Sequence, residues 1–310
     1  MSASLAVLMP VYDDWDAARL VVARVRAALG NRPCTFVLVD DASHEQVPAD
    51  LATKDTRVVR LRRNLGHQRA ICVGLCWIRE RLRVSSVVVM DSDGEDLPED
   101  VPTLLAKFES AGGRAVTFAR RRRRSERVSF RALYVLYRWL HFWLTGIHVR
   151  VGNFSVISAD HLQRLAVSSE LWNHYAASVF KSRVPIQEIA LDRGRRVSGR
   201  SRMNFVGLVL HGLSAISVFT ETVVVRLLVA LGVVATLVFA LLAAVVVIRL
   251  RTSLAIPGWA TMSFGILLVL LSQAIGIGLV LVMGILAARQ GNSFIPMRDY
   301  QVFVLDVSGD

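Results

Sequence analysis

Short apolar runs alternate with amphipathic stretches over the first 120 residues of the 310-residue chain. The runs are rich in valine, leucine and phenylalanine, and each has the length of one strand. They cover residues 5–9, 35–39, 58–61 (a weaker run), 87–90 and 115–118. The stretches between them predict helices over residues 14–29, 67–82 and 98–110. Continuous apolar strands that alternate with helices predict an α/β domain, with a mostly parallel sheet covered on both faces.

The last third of the chain has two long segments without a charged side chain. Residues 227–248 and 259–288 are 22 and 30 residues long, whereas about 20 helical residues cross a bilayer core. We therefore expect two transmembrane helices, at about 224–250 and 259–288, joined as a hairpin by a short loop. The preceding residues 204–221 are apolar with few charges and predict a helix that lies at the membrane interface.

These patterns predict a domain over residues 1–205 and a membrane module over residues 206–310, which ends in a short tail. Residues 1–220 carry 32 basic and 21 acidic side chains, whereas residues 221–310 carry five and four. The chain opens without a basic segment or an apolar run long enough for a signal peptide. We therefore expect an inner-membrane protein whose first domain and C-terminus lie in the cytoplasm.

Five consecutive arginines at 120–124 contribute much of the positive charge. They form either a solvated loop or a contact for anionic lipid, which attracts basic side chains near a membrane surface. We expect membrane lipids, and no nucleic acid, as partners of this charge.

Acidic residues follow three of the predicted strands. Asp13 and Asp14 follow the first, Asp40 and Asp41 follow the second, and residues 91–96 (DSDGED) follow the fourth. Ligands of open parallel sheets bind outside the carboxyl ends of the strands. Three acidic groups at one such edge, in a domain that is basic overall, therefore predict a binding site.

The third acidic group has the spacing of a metal site. Asp91, Asp93 and Glu95 are two residues apart, so in an extended chain their side chains share one face. Carboxylate oxygens suit hard cations, and Mg²⁺ is usually held by one or two carboxylates together with substrate phosphates. We therefore expect these residues to hold Mg²⁺ or Mn²⁺.

Several motifs resemble, in order and spacing, the signatures of family 2 glycosyltransferases with a GT-A fold. They are PVYDD, VDDAS, RNLGHQRAICVGL and DSDGEDLPED, followed by the arginine-rich RGRRVSGRSRMNF. The two apolar segments are similar to those of the branch with dolichyl-phosphate mannose synthase and bacterial polyprenyl-phosphate glycosyltransferases. The resemblance covers the whole chain and implies a GT-A domain (Rossmann-like, mostly parallel sheet), an interfacial helix and two transmembrane helices.

The resemblance implies a membrane-bound, metal-dependent glycosyltransferase. It would move a sugar from a nucleotide-sugar donor to polyprenyl phosphate, such as undecaprenyl phosphate, with inversion at the anomeric carbon. Two alternatives stay open: a family 2 transferase that acts on another lipid or a growing glycan, and a non-catalytic membrane scaffold that keeps the fold. Homo-oligomerisation is also left open.

The resemblance further implies roles for individual residues. Those expected to bind the nucleotide sugar are Pro10, Tyr12, Asp14, Asp40, Asp41, Asn64, Gly66, Asp91 and Ser201. Those expected to hold the metal are Asp91, Asp93 and Glu95. Those expected to act in the transfer are Asp96 beside the donor sugar, and Arg195 and Arg202 at the diphosphate or the acceptor phosphate.

One stretch departs from the family pattern. Relatives commonly have G-D-F-R-L where this chain has Gly152-Asn153-Phe154-Ser155-Val156. The Asn153 amide cannot act as a base, and Ser155 replaces an arginine. An acceptor phosphate is already ionised near neutral pH, so it needs no strong general base, and Asn153 is compatible with such an acceptor.

Overall fold

The computed structural model describes residues 4–51, 53–121, 138–148, 151–197, 205–252, 258–290 and 294–309. These residues form two compact units. The first, which we call the sheet unit, contains the described residues up to 138, those of 148–218 and those from 294 onward. The second, the helical unit, contains those of 139–147 and 219–290.

The sheet unit is built on one eight-stranded sheet with the order β7-β5-β6-β4-β1-β2-β3-β8. Its strands are β1 (Leu5–Val11), β2 (Cys34–Asp40), β3 (Thr56–Leu61), β4 (Ser86–Val89), β5 (Val116–Arg121), β6 (Val151–Ser158), β7 (Ile186–Leu191) and β8 (Val304–Ser308). The central strands β4, β1, β2 and β3 are parallel, as are β5 and β7. Strand β6 is antiparallel to both β4 and β5, and β8 is antiparallel to β3. The expected mostly parallel sheet is confirmed.

Helices cover both faces of this sheet. The helices of the sheet unit are α1 (Trp15–Leu29), α2 (His67–Arg81), α3 (Val101–Ser110), α5 (Ala159–Leu165), α6 (Tyr175–Lys181), α7 (Phe205–Ser217) and α10 (Pro296–Asp299). The helical unit contains α4 (residues 138–145) from residue 139 on, α8 (Thr220–Arg251) and α9 (Trp259–Gln290). Strand β1 shows how both faces are filled, because its residues alternate between two cores. Ala6 and Leu8 pack with α2, whereas Leu5, Val7 and Met9 pack with α1 and α3.

Helix α2 lies close to the sheet because of Gly74. A methyl group at this position would lie 2.4 Å from Leu8 Cδ1 and 2.7 Å from Val39 Cγ2, which is too close for any side chain. The glycine therefore lets the helix backbone approach β1 and β2. This contact fixes the start of α2, residues 66–68, beside the carboxyl ends of the strands.

Residues 294–309 belong to the sheet unit, a role that the sequence did not predict for the tail. Strand β8 pairs with β3, and Arg60 of β3 contacts Asp306 of β8 at 3.3 Å. The Tyr300 hydroxyl, on a buried side chain, donates to Glu80 of α2. The division of the chain at residue 205 stays a prediction.

In the helical unit, helices α8 and α9 have the length and hydropathy to cross a membrane. Within this unit, Arg226 of α8 donates to the carbonyl oxygens of Phe142 and Trp143 in α4, at 3.3 and 2.7 Å. These bonds add acceptor contacts at the end of a helix, where the last carbonyl groups lack the full set of partners within the helix; the Phe142 carbonyl also accepts the Gly146 N–H at 2.7 Å. Most of the arginine run, residues 122–124, lies outside the described residues.

Candidate active site

The acidic residues after β4 form a turn, which we call the acidic turn (residues 91–96). The chain does not stay extended here, because Gly94 has φ of +79°, a left-handed conformation that favours glycine. The expected single face of Asp91, Asp93 and Glu95 is therefore absent. Among the residues that the structure describes, no group of three His, Cys, Asp or Glu side chains is arranged to hold one metal ion.

A second segment, residues 193–197, runs along the acidic turn, and we call it the arginine strap. The Gly194 N–H donates to the Glu95 carbonyl at 2.9 Å, and the Val197 N–H donates to the Asp93 carbonyl at 3.0 Å. A methyl group at Gly194 would lie 2.7 Å from the carbonyl oxygen of Gly94. The two backbones are thus held together by hydrogen bonds that need a glycine at position 194.

Two arginines of the strap bind carboxylates of the turn. Arg196 lies 2.7 Å from Asp93 Oδ2, and Arg193 forms an ion pair with Glu95. The pKa of Arg193 is lowered, chiefly by burial, although the Asp93 and Asp91 carboxylates act in the opposite direction. The carboxylate oxygens of the turn are hard ligands and already pair with two guanidinium groups, so their chemistry fits a divalent cation. The side chain of Arg195, which we expected at the diphosphate or the acceptor phosphate, is exposed.

The Asp96 side chain joins the two ends of the acidic turn by a hydrogen bond. Its Oδ2 accepts the Asp91 N–H at 3.1 Å, and only 9% of the residue is exposed. The hydroxyl of Ser92, another residue of the turn, donates to the Pro10 carbonyl at the end of β1, at 2.8 Å. A small cavity beside the turn is lined by Asp96, Glu95 and Arg193, among others. The turn is thus fixed to the neighbouring strand, with Asp96 at the edge of an open space.

The two aspartates after β2 are almost fully buried. Asp40 Oδ1 accepts the Ser43 N–H at 2.8 Å, and Asp40 Oδ2 lies 3.5 Å from Arg60 Nε. The Asp41 carboxylate accepts the backbone N–H groups of Leu65 and Gly66, at 2.6 and 2.8 Å. Burial is the largest cause that raises the pKa of Asp41 to about 6. The Asp41 carboxylate therefore holds the loop that leads into α2, a role that the sequence did not predict for it.

The first acidic group meets the loop after β2. Asp13 has φ of +46°, and its N–H donates to the Ser43 hydroxyl at 2.9 Å. Its carboxylate accepts the His44 N–H at 2.6 Å. The rings of His44 and Tyr12 are 6.1 Å apart. Asp13 belongs to the acidic groups that predicted a binding site, whereas the contacts of Ser43 and His44 with it were not predicted, although Ser43 stands inside the motif VDDAS.

The other predicted residues lie around the same strand ends. Pro10 is a buried residue of β1, Asp14 precedes α1, and Asn64 is exposed in the loop before α2. Gly66 precedes α2 with φ of +87°. The structure therefore brings the predicted residues from β1, β2 and β4 to one edge of the sheet. Ser201 and Arg202 lie outside the described residues.

Asn153 lies next to the acidic turn. Its Nδ2 group donates to Asp91 Oδ1 at 3.4 Å, and its Oδ1 accepts the Gln68 side-chain amide at 3.0 Å. Ser155 is fully buried, and its hydroxyl bonds to the Asn153 carbonyl and the Tyr175 hydroxyl, each at 2.8 Å. Gln68 carried no signal beyond being a polar residue within the apolar pattern of α2.

Three histidines lie beyond Gln68, and we call them the histidine cluster: His67 of α2, His174 before α6 and His211 of α7. The His211 ring lies 5.2 Å from the His67 ring and 4.7 Å from the His174 ring. The Nε2 atoms of His174 and His211 are 3.4 Å apart. Burial, together with the charge of His67, lowers the pKa of His211 to about 4, so its imidazole is neutral at pH 7.

Comparisons with known proteins agree with this architecture. The model of the family "Glycosyl transferase family 2" matches residues 6–165. An undecaprenyl-phosphate 4-deoxy-4-formamido-L-arabinose transferase from Enterobacter sp. (strain 638) is 25% identical over 95% of this chain and 90% of its own length. A dodecaprenyl-phosphate galacturonate synthase from Rhizobium johnstonii is 29% identical over 35% of this chain and 33% of its own length.

A solved structure shows the same fold. It is glucosyl-3-phosphoglycerate synthase from Mycobacterium tuberculosis, in complex with Mn²⁺, uridine-diphosphate-glucose and phosphoglyceric acid. Its TM-score is 0.53 at 16% sequence identity, over 71% of this chain and 79% of that one. The likeness supports the expected GT-A fold. Because the family model matches more than half of the chain, the protein belongs to the family 2 glycosyltransferases.

Proposed function

We propose that the protein transfers a sugar from a nucleotide-sugar donor to polyprenyl phosphate at a membrane. The observation that carries this proposal is the similarity over 95% of the chain to a relative named as an undecaprenyl-phosphate transferase. That match includes the helices α8 and α9, not the sheet unit alone. A lipid acceptor accounts for two membrane-spanning helices in a glycosyltransferase.

The donor diphosphate is assigned to the carboxyl ends of β1, β2 and β4, beside the acidic turn. Asp91 and Asp93 would hold Mg²⁺ or Mn²⁺, with Glu95 nearby, and the cation would neutralise charge on the departing diphosphate. Arg193 and Arg196 already contact the turn, and guanidinium groups match phosphate oxygens in geometry. We therefore add these two arginines to Arg195 and Arg202 as candidate phosphate ligands.

A phosphate acceptor fits the residues around the turn. Its oxygen is ionised near neutral pH and needs no base, in agreement with an amide at position 153. Asp96 would orient the acceptor or the donor sugar, since it lines the cavity beside the turn. We propose an inner-membrane location with the sheet unit in the cytoplasm. The pairing of β8 with β3 supports one part of this proposal, that both ends of the α8–α9 hairpin lie on the same side of the membrane, because the segments at both ends belong to the sheet unit.

The test uses the purified full-length protein in detergent, labelled nucleotide sugars, undecaprenyl phosphate and Mn²⁺ or Mg²⁺. We expect one donor to yield a lipid-soluble, labelled sugar phosphate that mass spectrometry identifies. Asp50→Asn is the matched control, because Asp50 is 58% exposed in a surface ion pair with Arg19. If the label appears only in a glycan or another lipid, that molecule and not polyprenyl phosphate is the acceptor. Binding of the donor without any transfer would favour the scaffold alternative.

A further inference from the structure

Gln68 and Asn153 form a chain of hydrogen bonds that ends on Asp91. The Tyr175 N–H donates to Gln68 Oε1 at 2.8 Å. The Gln68 amide nitrogen donates to Asn153 Oδ1 at 3.0 Å, and the Asn153 amide nitrogen donates to Asp91 Oδ1 at 3.4 Å. Three elements of the sheet unit meet in this chain, since Gln68 is in α2, Asn153 in β6 and Tyr175 in α6.

The direction of every hydrogen bond in this chain follows from its two ends. A backbone N–H can only donate, and an ionised carboxylate can only accept. Gln68 must therefore present its oxygen to Tyr175 and its nitrogen to Asn153. Asn153 must in turn present its oxygen to Gln68 and its nitrogen to Asp91. Reversing the Gln68 amide would therefore break its bonds to both Tyr175 and Asn153. The Gln68 nitrogen also lies 3.0 Å from His67 Nε2.

Burial makes this orientation costly to change. Gln68 is 7% exposed and Asn153 is 9% exposed, so neither amide can easily exchange its partner for water. A buried polar group that loses its partner destabilises the fold by the full cost of its desolvation. The register of β4 and β6 adds to this constraint. Val89 pairs with Ser155, so Asn153 stands opposite Asp91 just beyond the last pair.

We propose that Gln68 and Asn153 are positioning residues that orient the Asp91 carboxylate for the donor complex. An amide at each position meets the requirement, because each side chain must accept at one end and donate at the other. A carboxylate at position 153 would accept from Gln68 but would place a second negative charge against Asp91. The proposal rests on the proposed function, in which Asp91 holds the divalent cation.

The first test exchanges the two groups between positions 91 and 153 in the full-length protein. Asn153→Asp should lower the melting temperature by about 5 °C, as expected for a loss of about 2 kcal/mol in a chain of this size, whereas Asp91→Asn alone should change it little. The double variant Asp91→Asn/Asn153→Asp should regain most of the loss, because the new Asn amide can donate to the new carboxylate. A double variant that melts as low as Asn153→Asp would overturn the proposal, since its two positions would then not be coupled. This test needs neither metal nor substrate.

The second test measures the metal response of Gln68→Glu, which keeps the side-chain shape but cannot donate to Asn153. We expect the Mn²⁺ concentration for half-maximal rate to rise about tenfold, with much of the rate recovered at high Mn²⁺. Gln163→Glu is the matched control, because Gln163 is exposed and only accepts, from Arg79. If the Mn²⁺ response of Gln68→Glu is unchanged, the hydrogen bonds between Gln68, Asn153 and Asp91 have only a structural role, and the proposal is wrong. If the wild-type rate ignores divalent cations, the metal assignment itself is wrong, and the melting test alone then decides on the coupling.

Discussion

The acidic turn and the histidine cluster both pack titratable side chains closely, yet they deal with charge in opposite ways. The carboxylates of the turn are paired with Arg193 and Arg196, and these groups keep some contact with solvent. In the histidine cluster, burial and the charge of His67 hold the His211 ring neutral. The turn therefore keeps a charge that a ligand can use, whereas the His211 ring of α7 stays uncharged beside His67 and His174.

This difference gives the two regions separate tasks. The carboxylates can exchange their partly exposed arginine partners for a cation, and the arginines can then pair with a diphosphate. The neutral His211 ring packs as an aromatic group, and its Nε2 atom lies 3.4 Å from that of His174. The first arrangement suits catalysis, and the second suits a stable attachment of a helix.

The largest expected effect separates the two regions by activity. Asp93→Asn should lower the transfer rate about a thousandfold, because a cation that stabilises a leaving group contributes several kcal/mol. The fold should survive, since the Asn oxygen can still accept one of the two bonds, from the Glu95 N–H or from Arg196, and the backbone bonds between the turn and the strap remain. The measurement is the initial rate of lipid-product formation together with the melting temperature. Asp50→Asn should leave both unchanged, and a rate in Asp93→Asn within threefold of wild type would remove Asp93 from the site.

The second prediction concerns pH and the histidine cluster. The pKa of His211 in the folded protein, about 4, lies below the ordinary value of 6.5, so the unfolded chain binds its proton first on acidification. The contribution of His211 to stability is therefore complete above pH 6.5 and is lost as the pH falls towards 4. Between pH 7.5 and 4.5, we expect the free energy of unfolding to fall by about 2 kcal/mol less in His211→Gln than in the wild type. Chemical unfolding at the two pH values measures this difference.

His148→Gln serves as its control, because the His148 side chain is exposed. It should lose stability with acid as the wild type does. If His211→Gln has the same acid profile as the wild type, the ring is not held neutral by the fold, and the contrast between the two regions disappears.

The smallest effect sharpens the description of the acidic turn. Arg196→Gln removes one positive charge from Asp93, so Mn²⁺ should be favoured at the turn, with a half-saturating concentration about threefold lower. The reduction is modest because both groups are partly exposed and solvent screens the interaction. Arg24→Gln, which breaks the surface pair with Glu99, should leave the Mn²⁺ response as it is. Weaker Mn²⁺ binding in Arg196→Gln would mean that the arginine helps to hold the metal site together.

The central strands and helices were predictable because their cores are filled by uninterrupted apolar runs. Strand β7 was not predicted, since its sequence IQEIAL is only partly buried. Strand β8 was not predicted either, because the pattern of apolar residues does not show that a segment after the hairpin returns to pair with β3. The convergence of the acidic residues followed from the rule for parallel sheets. The selection of Arg193 and Arg196 over Arg195 did not, because a loop without regular structure has no periodic faces.

The pairing of β8 with β3 has a consequence for how the protein is made. A ribosome releases strands β1 to β7 before the two apolar helices, and chains begin to fold from the N-terminus. Strand β3 must then wait as an open edge, since its partner is synthesised only after α9. Unpaired edges invite association with other chains. The sheet can thus be completed only after both helices have been synthesised. Nascent chains that stall within the hairpin would keep the open edge and be prone to aggregate.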